Sequence, residues 1–174
     1  MFKPSPDYWN PPRKDFLKLN FDGASKGNLG KVGYGSILHN NKGKMLGYGY
    51  GFLGIESNNA GEIEGLIQGL RMMLGECWLP AMVEGDLKVI IQMTKQLANR
   101  QTIDKVSLSW RLASRFETLR HLVLRNLVVS FHHVRRRANQ VGDLLANVGV
   151  GKIGVKRMGR LEDFGMTQWV PKCQ

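Results

Sequence analysis

From Phe16 to Asp22 the chain reads FLKLNFD, with apolar Leu17, Leu19 and Phe21 alternating with Lys18 and Asn20. A period of two marks a half-buried strand, so a first strand is predicted over 16–22. The glycine-rich stretch 23–30 reads as a turn, because glycine reaches backbone angles closed to other residues. A second strand is predicted over 32–39 and a third, rich in glycine and tyrosine, over 44–53. Between them Asn40-Asn41-Lys42-Gly43 has the residues that tight hairpins favour. Three strands joined by short turns form an antiparallel meander.

The period then changes. Ile63, Leu66, Ile67, Leu70 and Leu74 recur at helical spacing, so a helix runs to about residue 75, with Ser57 or one of the following asparagines as its cap. A short strand over 81–84 ends at Gly85-Asp86, and a helix follows over 87–97. After a polar connector, 98–105, a basic amphipathic helix spans 106–122 with Leu108, Leu112, Phe116 and Leu119 on its apolar face; Trp110 is read as core. A strand over 127–134, the run Arg135-Arg136-Arg137 and a last helix over 139–148 complete the pattern. Residues 1–15 hold four of the six prolines and read as an arm that Tyr8 and Trp9 can pin. Residues 151–174 read as a basic tail that can dock through Phe164 and Trp169. A meander followed by alternating strands and helices predicts an α/β domain over 16–150. Its mixed five-stranded sheet has three antiparallel strands, then two parallel ones, and helices on both faces.

Composition adds a partner class. The 174 residues carry 25 Lys+Arg against 14 Asp+Glu, a formal charge of +11. Such an excess suits a polyanion, most simply nucleic acid, although a basic surface also serves solubility alone. With 43% hydrophobic and 22% charged residues the chain can build a core. Cys77 and Cys173 offer neither a disulfide framework nor a zinc spacing, which predicts a reducing, intracellular setting. No apolar run approaches the roughly 18 residues of a membrane span, so no membrane partner is expected. The first fifteen residues read as neither a signal nor a transit peptide.

Four acids stand at element ends: Asp22 after the first strand, Glu62 early in the first long helix, Asp86 after the fourth strand and Asp143 in the last helix. Any one of them can be a helix cap or a solvated side chain. Their neighbours carry more. LNFDGASKGNLGKVGYG around Asp22, SNNAGEIEGLIQGL around Glu62, VEGDLKVII around Asp86 and FHHVRRRANQVGDLLANVG around Asp143 resemble, in that order, a type 1 ribonuclease H domain of the plant retrotransposon-derived, reverse-transcriptase-like form.

The resemblance, over about residues 9–150, implies the fold already read from the pattern. It also implies cleavage of the RNA strand of an RNA–DNA hybrid with two Mg2+ ions, for which Mn2+ can substitute. Asp22 would bridge both ions, with Glu62 and Asp86 on one and Asp143 on the other. The residue types suit the task, because hard cations prefer carboxylate oxygens and two of them can serve both the attacking and the leaving oxygen of a phosphodiester. Glu64 is a neighbouring acid, but the family's ligand sits where Glu62 does. His133 matches a mobile histidine that moves protons or helps product leave. The backbone around Ser25, Lys26 and Gly27 would meet the RNA's 2′-hydroxyls, and Asn28, Ser57, Asn58 and Asn59 the backbone or bases across the minor groove and a DNA phosphate. Asn139 matches a family asparagine and can also be a cap; Arg135 and Arg136 lie where phosphate contact is expected. Leu29 replaces the family's usual proline, Ala60 replaces a basic contact of some members, and the connector 98–105 is too short for a basic protrusion. A non-catalytic RNA-binding module, in a larger polyprotein or ribonucleoprotein and taking a hybrid or structured RNA, is the alternative.

Overall fold

The fold is built on the strand that carries Asp22. In the computed structural model, which describes residues 7–27, 29–74, 80–101, 110–125, 128–152 and 156–160, strand β1 runs Leu17–Lys26, β2 Gly30–His39 and β3 Met45–Glu56. They form the antiparallel meander, with Asp22 opposite Gly35 and Gly35 opposite Tyr50. Helix α1, Asn58–Leu74, leads to β4, Ala81–Gly85, which lies parallel to β1. Helices α2, Lys88–Ala98, and α3, Trp110–Arg125, precede β5, Val128–His133, parallel to β4. A single 3-10 turn, Arg136–Asn139, opens α4, Gln140–Gly151. The five predicted strands and the mixed sheet are all present. The stretch read as a tail adds a sixth, β6, Lys156–Arg160, antiparallel to β3, for a sheet order of β5-β4-β1-β2-β3-β6. Phe164 and Trp169 lie outside the described residues, as does Leu108.

The turn is shorter than predicted: β1 continues through Gly23 to Lys26, paired with Lys31, and the chain reverses from Gly27, whose φ is 95°. Gly23 and, on β2, Gly33 are small because helices press on both faces of the sheet. A Cβ on Gly23 would stand 2.4 Å from the Glu62 amide nitrogen of α1, and one on Gly33 would stand 2.3 Å from Val150 N of α4. Glycine is thus selected here by close approach, not by backbone angle. Leu29, in the true turn, has φ 56°. Proline is locked near −65°, so this turn differs in kind from one with the family's proline.

The side chains of β1 divide between the two faces. Leu17, Leu19 and Phe21 join Ile63, Leu66, Ile67, Leu70, Ile90, Phe116 and Leu119 in the main core. Lys18, Asn20 and Asp22 point to the other face, which was expected to be solvated but is buried. Two elements cover it: α4, through Ala146 and Val150 against Ala24, and the N-terminal arm. Trp9 Nε1 donates to Asn20 Oδ1 at 2.9 Å and its indole packs on His39, while Lys18 Nζ donates to the Asn10 carbonyl at 2.7 Å. Lys18 also pairs with Glu84 at 2.6 Å, and Asn20 donates to the same carboxylate. Trp110, read as core, is instead 80% exposed, since it is the first residue of α3 and precedes that helix's buried stripe of Leu112, Phe116, Leu119, Leu122 and Val123.

Candidate active site

Four segments bring the acids together. Asp22 lies inside β1, where pairing with Gly35 of β2 fixes its backbone just beyond the last residue paired with β4. Glu62 sits in the second turn of α1, whose start is fixed by Ser57: its Oγ accepts from the Ala60 amide at 3.3 Å. Asp86 follows β4 directly, and Asp143 lies in the first turn of α4. Carboxylate oxygens of Asp22, Glu62 and Asp86 all fall within 4.8 Å of one another. Asp143 stands beside this trio and is joined to Asp86 through the Arg136 guanidinium, at 3.5 Å from Asp143 and 3.7 Å from Asp86. A Cβ on Gly142 would lie 3.4 Å from Asp22 Cβ, which is how closely α4 approaches the strand. Glu64 is excluded from the cluster: it accepts from Gln68 at 2.6 Å and faces Arg115.

The cluster is electrostatically unsatisfied. Asp22 and Glu62 are 1% and 2% exposed, and Asp22 Oδ2 and Glu62 Oε2 have no hydrogen-bond partner. Burial pushes the Asp22 carboxyl up to about 7; Asp86 and Asp143 add repulsion, while a hydrogen bond with Glu62 and the Gly23 amide pull it back. Glu62 is raised well above the ordinary glutamate range, first by burial and then by the charge of Asp22. Asp86 is raised by burial against the opposing pull of Arg136. Both shifts run toward the neutral form, so without a cation the Asp22–Glu62 pair resists carrying two charges. Unpartnered buried carboxylate oxygens from several segments are the donor set that hard divalent ions prefer, so these residues fit such an ion.

The remaining predicted residues surround the cluster unevenly. His133 Nε2 lies 3.0 Å from the Asp86 carbonyl oxygen, exposed at the rim. Ser25 Oγ donates to the Gly27 carbonyl, Lys26 and Gly27 are exposed, and Asn28 lies outside the described residues. Asn58 is half-buried and Asn59 exposed at the start of α1. Ala60 is buried, so no surface contact can come from it. Arg135 pairs with Asp7 of the arm. Asn139 is a correction. It is 1% exposed, makes no cap bond, and donates to the Phe21 carbonyl at 2.8 Å. It ties the start of α4 to β1 one residue before Asp22, and a side chain so buried cannot reach a nucleic acid. The Lys18–Glu84–Asn20–Trp9 group beneath the site was not anticipated. The only sequence signal for it was a lysine and an asparagine at alternate positions of a strand that otherwise reads as core.

With this geometry in view, the likeness to known proteins is specific. The reverse transcriptase-like family matches residues 20–149. No curated protein matches the sequence. Among solved structures, RNase H1 from the halophilic archaeon Halobacterium salinarum is 26% identical over 78% of this chain and 98% of its own, with a TM-score of 0.65. LC11-RNase H1, solved in complex with an RNA/DNA hybrid, is 23% identical over 78% of this chain and 96% of its own, also with a TM-score of 0.65. The prototype foamy virus protease–reverse transcriptase is 14% identical over 80% of this chain and 21% of its own, with a TM-score of 0.62, and shares the fold.

Proposed function

The chain belongs to the reverse transcriptase-like family, and from that premise we propose that it is an endonuclease cutting the RNA strand of RNA–DNA hybrids without sequence preference. Two divalent ions, Mg2+ or in its place Mn2+, would be held by Asp22, Glu62, Asp86 and Asp143. The observation that carries the reading is the pair of buried, unpartnered oxygens of Asp22 and Glu62. Burying two neighbouring carboxylates is costly and serves no packing purpose, whereas a hard cation repays it. Such ions, when bound, activate water and stabilise the leaving oxygen of a phosphodiester.

The chain's own groups have separable tasks. Asp22 and Glu62 form the buried floor, held by β1 and α1, and Asp86 and Asp143 form the more open wall. Asn139 keeps α4, and with it Asp143, at a fixed distance from β1. His133, at the rim beside Asp86, carries protons or eases product departure. Ser25, Lys26, Gly27, Ser57, Asn58, Asn59, Arg135 and Arg136 take the hybrid, Asn28 being assigned from the resemblance alone, and affinity comes mainly from phosphates. A second reading, a non-catalytic RNA-binding module, is favoured by two features: the altered turn at Leu29, and an Asp143 that is tied to Arg136 and not gathered into the trio. In either case the domain belongs in an intracellular, reducing setting and can form part of a larger polyprotein or ribonucleoprotein.

The deciding experiment is incubation of the purified protein with a hybrid labelled on each strand, in Mg2+ or EDTA. RNA-strand cleavage in Mg2+ and none in EDTA is expected. Retention of the hybrid without cleavage in either buffer gives the binding module instead.

A further inference from the structure

Arg136 reaches across the open side of the acidic cluster. Its Nε is 3.7 Å from Asp86 Oδ2 and its Nη2 is 3.5 Å from Asp143 Oδ1. The two carboxylates come from different segments, the loop after β4 and the first turn of α4, and each repels the other when both are charged. The Arg136 side chain is 73% exposed, so packing does not force it there; attraction to two anions does. Its neighbour Arg135 is engaged elsewhere, by Asp7. His133, the other rim group, meets the Asp86 backbone carbonyl and leaves the carboxylate to Arg136.

We propose that Arg136 is a placeholder cation: it bridges Asp86 and Asp143 while they hold no metal, and has to release them before either can take part in holding a divalent ion. The inference rests on the reading of the four acids as a metal site and adds to it a competitor built into the chain. A guanidinium and a divalent ion cannot occupy the same carboxylate oxygens, and like charges in contact repel. Whatever stabilises the metal-free form relative to the loaded one weakens loading by the same factor. Because the bridge is exposed, it is cheap to open. Arg136 is thus a positioning residue: it holds Asp143 toward Asp86 until the two carboxylates are released.

The test is calorimetric titration of Mg2+ into the full chain without nucleic acid, for wild type, Arg136→Gln and Arg136→Lys, with melting temperatures in EDTA and in saturating Mg2+. Arg136→Gln should bind Mg2+ roughly 1.5- to fivefold more tightly, the range an exposed bridge allows. It should melt below wild type in EDTA and level with it in Mg2+. Arg136→Lys keeps the charge and should stay near wild type in affinity. Equal or weaker Mg2+ binding by Arg136→Gln, in a folded protein, overturns the proposal. So does a lysine variant that binds as tightly as the glutamine one. A wild type that takes up no Mg2+ overturns both this proposal and the metal reading. A wild type that binds Mg2+ with the expected order of variants, but leaves hybrids uncut, keeps the placeholder and removes only the nuclease.

Discussion

The two faces of β1 are both buried, yet they do opposite things. On one, Leu17, Leu19 and Phe21 enter the main core between the sheet and α1. On the other, Lys18, Asn20 and Asp22 form a polar column beneath α4 and the N-terminal arm. The column is satisfied at its lower two positions. Lys18 has Glu84 and the Asn10 carbonyl, and Asn20 has Glu84 and Trp9. At the third position satisfaction fails, because Asp22 Oδ2 has no partner and its other oxygen accepts from the Gly23 amide. Partnered burial serves stability; unpartnered carboxylate oxygens gathered from different segments are what a cation would repay. The candidate site thus lies on one face of β1, while the opposite face supplies the stability that maintains it.

The contrast breaks most sharply at Asp22. Asp22→Asn should lower hybrid cleavage by at least about 10³-fold, on the order of 4 kcal/mol of barrier, since an amide is a poor ligand for a hard cation. Its fold and its hybrid affinity should persist; cleavage assays and binding at matched salt check this. Equal cleavage by the mutant sinks the metal assignment.

On the apolar face the loss should fall on stability alone. Phe21→Ala empties a fully buried site and should cost about 3–5 kcal/mol, read by denaturant unfolding, with the Mg2+ affinity of the folded fraction unchanged. The partnered part of the polar column should behave differently again. Lys18→Met strands the Glu84 carboxylate and should cost about 3 kcal/mol or more, whereas Lys18→Met with Glu84→Leu should recover most of it. A double mutant no better than the single one contradicts the view that this pair is structural.

The pH dependence is the most diagnostic. The Asp22 carboxyl sits at about 7 in the fold against 3.8 for the free group, so the native state binds the extra proton. Its contribution to stability is full below pH 3.8 and is lost as pH rises through 7. In EDTA, Asp22→Asn lacks this loss, so it should melt with wild type near pH 4 and above it at pH 8. Saturating Mg2+ should close the gap at pH 8. A gap that does not vary with pH excludes Asp22 as the titrating group.

Much of this was legible in the chain. Alternation over 16–22 and the helical spacing of Ile63 to Leu74 are local signals, and they fixed the elements, the mixed sheet and the class. The four acids were legible through their neighbours, because each lies in a stretch several residues long. Gly23 misled, since a glycine selected for a turn, as Gly27 is, and one selected for a passing helix look alike until Gly61 and Glu62 are placed against it. Burial of Lys18 and Asn20, the interior position of Asn139 and the strand at Lys156–Arg160 also depended on partners more than a hundred residues away or on the fold of the arm. The sequence by itself determined which residue types stand at which spacing, because periodicity is written in neighbours. Only the tertiary structure decided which polar atoms find partners and which do not, because hydrogen bonds and charge repulsion depend on distances in space. The unpartnered oxygens of Asp22 and Glu62, and the guanidinium over Asp86 and Asp143, belong to that second kind of fact.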